Sequence, residues 1–202
     1  MKAMISFGLL AVVGVAALSA TIAQSETMRA EEMTPDAMHL GEGGGNVASD
    51  GRLYVPDIDY RQEWVQLGTF SVLADEPEDG AKEMHMVYVE REAVRAYLAT
   101  GTFPDGTKIV KDVYETRTEE LTTGTASYGN SLAGRFVMVK DADNSNAFSS
   151  PLWGDGWGWA FYEGDEKRLT VTTNYEADCR GCHLPAEETD FLYVQGYPLL
   201  QR

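Results

Sequence analysis

The chain has 202 residues, 44% of them hydrophobic and 24% charged, enough for one folded domain with a real core and too apolar for a disordered tail. Its 16 basic residues against 32 acidic ones give a formal charge of -16, so the surface repels polyanions and nucleic-acid binding is excluded as a function class. Two cysteines cannot build a disulfide scaffold, so their chemistry must be read from their surroundings.

The N-terminus reads Met1-Lys2 followed by an uncharged, mostly apolar stretch to Ala23, with small residues at Thr21 and Ala23 before polar composition begins at Gln24. That is the form of a signal peptide, with an uncleaved anchor as the alternative; residues 1–23 are expected to be removed and the remainder to work in the periplasm of a bacterium, free of the membrane. Cleavage takes away Lys2 and no acid, leaving the mature chain one charge more negative. Residues 24–52 are acidic and then glycine-rich, which predicts a flexible leader, with the folded domain spanning 53–202.

Short apolar runs at 64–70, 84–89, 109–114, 136–139 and 157–162, separated by Gly, Pro, Asp and Asn, predict strands. Between the second and third, Ala93, Val94, Tyr97 and Leu98 recur at helical spacing over 91–99, with Gly101 as the stop signal. The expected fold is mainly β (α+β), an antiparallel sheet with flanking helices in a single domain. No repeat and no phosphate-cradling glycine motif is present, which removes nucleotide chemistry from consideration.

Both cysteines fall in Cys179-Arg180-Gly181-Cys182-His183, the C-x-x-C-H attachment signature of c-type haem: two thiols add to the haem vinyl groups and the adjacent imidazole binds iron. A thioredoxin-like redox pair would need a βαβ setting, and a structural zinc site would need a fourth ligand. Export fits covalent haem better than a zinc thiolate, which risks oxidation. The expectation is therefore one haem c, with Cys179 and Cys182 as thioethers and His183 as the proximal iron ligand. His85, Met84, Met86 and Met138 are the residues that could close the sixth position; a β-rich body speaks instead for an open iron that binds small molecules or performs chemistry.

With this motif in place, the stretch 103–112 (Phe-Pro-Asp-Gly-Thr-Lys-Ile-Val-Lys-Asp), the run 152–160 (Leu-Trp-Gly-Asp-Gly-Trp-Gly-Trp-Ala), and the closing Thr189-Asp190-Phe191 with Gly196-Tyr197-Pro198 resemble the cytochrome P-460 family. The resemblance implies an antiparallel β fold, a homodimer with one c-type haem per subunit, and oxidation of hydroxylamine to nitrous oxide or nitric oxide, with electrons leaving to an external acceptor such as another cytochrome. It also implies a bond between a lysine nitrogen and a meso carbon of the porphyrin, for which Lys111 is the matching position. Strand alternation gives that assignment separate support. Ile109, Lys111 and Val113 share one face and Val110, Asp112 and Tyr114 the other, so Lys111 sits among apolar neighbours where a cation is costly; a lysine snorkelling to water is the alternative. Lys108 falls on the other face.

The related β-type cytochromes c-prime lack the crosslink and bind nitric oxide or carbon monoxide in phenylalanine-lined pockets. Hydroxylamine oxidation, by contrast, calls for a polar group to accept protons. Asp155 and Glu163, flanking the Trp-rich segment, are the candidate distal acids, with ordinary turn residues as the alternative; Arg61 and Arg135 are candidates to balance substrate or haem propionates, or to lie at the surface. Trp153, Trp157, Trp159 and Phe161, with interleaved glycines, are read as a haem wall, a bent core strand, or both.

Overall fold

The computed structural model describes residues 46–201, apart from 147 and 148. The signal segment and most of the leader lie outside the described residues. Six strands, β1 (Val65–Leu73), β2 (Ala81–Val89), β3 (Lys108–Leu121), β4 (Gly124–Lys140), β5 (Trp153–Gly154) and β6 (Trp157–Glu163), form one sheet in the order β1-β2-β3-β4-β6-β5, every pairing antiparallel. Among the described residues four short or medium α-helices flank it: α1 (Tyr60–Glu63), α2 (Arg91–Thr100), α3 (Tyr175–Asp178) and α4 (Arg180–His183). This is the mainly β, α+β architecture that the sequence predicts.

β3 and β4 run well beyond their apolar runs, because their outer halves pair Thr, Ser and Glu side chains in a solvated hairpin arm that carries no core and therefore no hydrophobic signal. In α2, Ala93, Val94, Ala96 and Tyr97 are buried, and Gly101 caps the helix in the left-handed region (φ 92°), donating its N–H to the Tyr97 carbonyl at 2.8 Å. Leu98, expected on the apolar face, is exposed: it lies about 100° round the helix from Tyr97, and small Ala96 brings the helix close to the sheet instead.

Each sheet face carries its own core. On one, α2 and the C-terminal segment bury Leu67, Val87, Val89, Ile109, Met138, Trp157 and Trp159. On the other, residues 47–64 and the 152–153 turn cover Tyr88, Val110, Val137, Ala160 and Tyr162. Part of the segment assigned to the leader belongs to this second core: Asn46 is buried, Val47 bridges to Leu53, and the Gly51 carbonyl accepts the buried Trp153 indole N–H at 2.6 Å.

The Trp-rich segment divides between the two faces. Asp155 (φ 50°) and Gly156 (φ 77°) form the two-residue turn between β5 and β6, where both central residues must be left-handed to match the twist of the strands. A side chain at Gly158 would meet the Trp153 ring at 2.7 Å, so glycine there lets Trp153 lie flat on the strand.

Candidate functional site

A cavity of about 600 Å³ opens between the first face of the sheet and the C-terminal segment, within the size range of small-molecule and cofactor sites. Period-2 alternation builds its floor. Across β2, β3 and β4 the register aligns Val87, Lys111 and Phe136; the next row aligns Ile109, Met138 and Trp159, and His85 stands beside Val113 and opposite Phe70 of β1. The roof carries Cys179, Cys182 and His183, then Leu192, Tyr193 and Tyr197.

The C-x-x-C-H segment is tightly positioned. Asn174 caps α3 by accepting the Glu176 N–H at 2.8 Å, and the Cys179 carbonyl accepts the His183 N–H at 3.2 Å, so both thiols and the imidazole ride on one turn of chain. His183 Nδ1 lies 2.8 Å from the Phe191 carbonyl, so it carries the proton, and Nε2 keeps its lone pair for a metal. Burial, partly offset by that hydrogen bond, pushes the His183 pKa below its ordinary value and keeps the ring neutral, as a metal ligand must be.

The Phe191 carbonyl is aimed by a backbone feature that no local sequence pattern announces. Asp190 (φ 59°) and Phe191 (φ 66°) are consecutive left-handed residues, a conformation costing about 1–3 kcal/mol each. The buried Asp190 carboxylate holds it in place by accepting from Lys140 Nζ at 2.5 Å, the Phe103 N–H at 2.8 Å and Trp157 Nε1 at 3.3 Å. Trp159 packs edge-on against the His183 ring, with centroids 4.6 Å apart. Of the three tryptophans in the 152–160 run it alone lines the cavity; Trp153 and Trp157 are core.

Lys111 projects into the cavity, as strand alternation requires. Its Nζ sits 4.2 Å from the Phe136 ring centroid, and no carboxylate lies within salt-bridge reach among the described residues. Burial drives its pKa down, with Glu83 and the two thiols opposing. Its surroundings therefore make the ammonium less favourable than it is in water. Lys108, on the other face, is satisfied by Glu90 at 3.2 Å. Cys179 is half-buried, its thiol pushed up to about 11 by burial and by Asp178, while Cys182 is exposed. Among the described residues no group of three His, Cys, Asp or Glu side chains converges as a metal cage, which removes support for the zinc alternative.

Neither Asp155 nor Glu163 lines the cavity. Asp155 is a turn residue whose carboxylate accepts from Tyr175 Oη at 2.5 Å and Arg180 Nε at 3.0 Å, and so ties the turn to the C-x-x-C-H segment. Glu163 is exposed at the end of β6. The carboxylate that does reach the wall is Asp178, whose Oδ2 accepts the N–H groups of Thr173 and Asn174. Arg61 and Arg135 are turned away, both on Asp112 beneath the opposite face. Met84 and Met86 also project from that face, leaving His85 and Met138 as the sixth-ligand candidates on the cavity.

Two thiols and a lone-pair-bearing imidazole on one wall, facing an apolar, aromatic-lined slot with an unpaired lysine in its floor, form a pocket fitted to a metalloporphyrin. The family model described as Cytochrome P460 matches residues 58–194, and the chain belongs to that family; a haem cofactor follows from membership. No curated protein matches the chain.

Proposed function

We propose that the protein is an exported, periplasmic mono-haem c-type cytochrome, working as a homodimer, that oxidises hydroxylamine to nitrous oxide or nitric oxide and passes electrons to an external acceptor such as another cytochrome. The observation that carries this reading is Lys111: an unpaired, desolvated amine in the floor of the cavity, opposite the thiols and imidazole.

In this reading Cys179 and Cys182 hold the porphyrin edge as thioethers and His183 Nε2 binds the iron. Lys111 is the residue that would be joined through Nζ to a meso carbon, the meso C–H and one N–H being lost as two protons and two electrons to an external two-electron oxidant, and the link would relieve the cost of keeping an ammonium without a partner. When bound, the haem supplies the nitrogen-binding, electron-accepting centre. The chain fixes its orientation through the Phe191 carbonyl on His183, packs Trp159 against that imidazole, and gives the slot an apolar lining with Phe70, Phe136 and Leu192.

The aromatic side chains Phe70 and Phe136 on the cavity favour a second reading, a nitric oxide or carbon monoxide binding protein without the crosslink. Intact mass and the reduced absorption spectrum of the purified haem protein, compared with Lys111→Ala, separate the two. A red-shifted Soret band and a lysine–haem linkage in the wild type, both lost in Lys111→Ala together with hydroxylamine turnover, are expected. An ordinary five-coordinate c-haem spectrum in the wild type would transfer the assignment to gas binding, and a six-coordinate low-spin spectrum would transfer it to electron transfer.

A further inference from the structure

Among the described residues His85 is the one polar side chain of β1 to β4 on the cavity floor apart from Lys111, and the haem ligation proposed above does not use it. It is 9% exposed, and its Nε2 lies 3.0 Å from Glu83 Oε2, two residues back on the same face of β2. The carboxylate accepts a hydrogen bond, so the Nε2 proton points at Glu83 and Nδ1 is left as a bare acceptor. That nitrogen is buried and has no hydrogen-bond partner among the described residues. An unsatisfied buried acceptor is costly and calls for a reason.

Position suggests one. Three strand spacings of about 4.8 Å separate β2 from the β6 tryptophan that packs on His183, so His85 stands on the far side of the slot from the proximal imidazole. Its ring meets Phe70 at 4.8 Å on the cavity side, while the Glu83 side chain on its other flank is 36% exposed to solvent. The pair therefore spans the wall from cavity to water. We propose that His85 and Glu83 form the proton exit of the cavity: His85 accepts a proton from a ligand in the slot, its Nε2 proton passes to Glu83, and Glu83 releases it to solvent.

For the source of the protons the inference rests on the function proposed above. Two hydroxylamines that end as nitrous oxide and water give up four protons and four electrons; the electrons leave to the external acceptor and the protons need a path. Only N–H and O–H bonds are made and broken along the His85–Glu83 path. The groups facing His85 suit an acceptor. Glu83 from its own strand stabilises the charge it gains, and Lys111 from β3 opposes it only while it is an ammonium, a charge that the link to the ring would remove; β1 presents uncharged Phe70, on which Tyr197 of the C-terminal segment packs. Burial is the largest influence, and it holds the ring neutral and ready to accept.

The test uses the ferric haem protein and two small ligands followed by stopped-flow absorbance. Hydrogen cyanide must lose its proton to bind, whereas nitric oxide has none to lose. His85→Gln is expected to slow cyanide association by roughly 10²-fold and Glu83→Gln by roughly fivefold, with nitric oxide association unchanged within about twofold in both. The wild-type cyanide rate should fall on acidification as His85 takes its proton from solution instead, and that acid limb should vanish in His85→Gln. Equal slowing of both ligands would make His85 a packing residue, and an unchanged cyanide rate, or an acid limb that survives in His85→Gln, would place the base elsewhere. Failure of the wild type to turn over hydroxylamine would end the functional reading and leave the cyanide result standing.

Discussion

Lys111 and Asp112 are neighbours on β3, the first half-buried and the second fully buried, and the two faces of the sheet treat them in opposite ways. Asp112 is fully buried and satisfied on all sides: Tyr60 Oη donates to it at 2.7 Å, Arg61 Nε at 2.6 Å, and Arg135 Nε stands 3.6 Å away. Lys111 has an aromatic ring and, among the described residues, no counter-ion. A buried charge with full partners holds structure together; one without partners is stored reactivity, and in this molecule it faces the cavity. The same contrast holds for the histidines and carboxylates, with His183 pinned by a carbonyl and His85 left with a bare nitrogen.

The contrast breaks first at Asp112. Asp112→Ala takes the acceptor from the Tyr60 hydroxyl and Arg61 and the buried counter-charge from Arg135, and urea unfolding of the haem protein is expected to lose about 3–5 kcal/mol. Lys111→Met should act in the other direction on the haem-free chain, raising stability by about 1 kcal/mol by removing an unpaired cation while keeping the apolar stem.

A pH series sharpens the point. The Lys111 pKa is lowered on folding, so between that lowered value and the ordinary 10.5 the unfolded chain binds more protons, and stability rises with pH. Buried Tyr60, Tyr162 and Tyr175, whose pKa values burial raises, pull the other way above their ordinary 10.0. The wild-type minus Lys111→Met difference in unfolding free energy isolates the lysine and should become less negative with rising pH across that alkaline window; a flat difference would mean that Lys111 is not desolvated. The smallest effect is expected at Glu163→Gln, outside the cavity, where hydroxylamine turnover per haem should stay within about twofold of wild type.

How much of this was legible in the sequence differs by element. The five strand runs and the 91–99 helix could be read because burial on a sheet face imposes a period of 2 and burial of one helix face a period of 3.6. The hairpin arm of β3 and β4 escaped because it buries little. Proximity to the Trp-rich segment points to Asp155 and Glu163, yet a two-residue left-handed turn swings Asp155 toward Arg180 and the strand end leaves Glu163 in water.

By itself the sequence determined the sheet, the face on which Lys111 projects, and the C-x-x-C-H spacing, since all three follow from local periodicity or from covalent reach along one turn of chain. Only the tertiary structure decided that Lys111 has no counter-ion, that Asp190 and Phe191 aim a carbonyl at His183, and that His85 lines the cavity with Glu83 opening to solvent. Partners such as these come from residues far apart in the chain, brought together by strand register and by the path of the C-terminal segment, and no local pattern records which side chains that path leaves satisfied and which it leaves free to react.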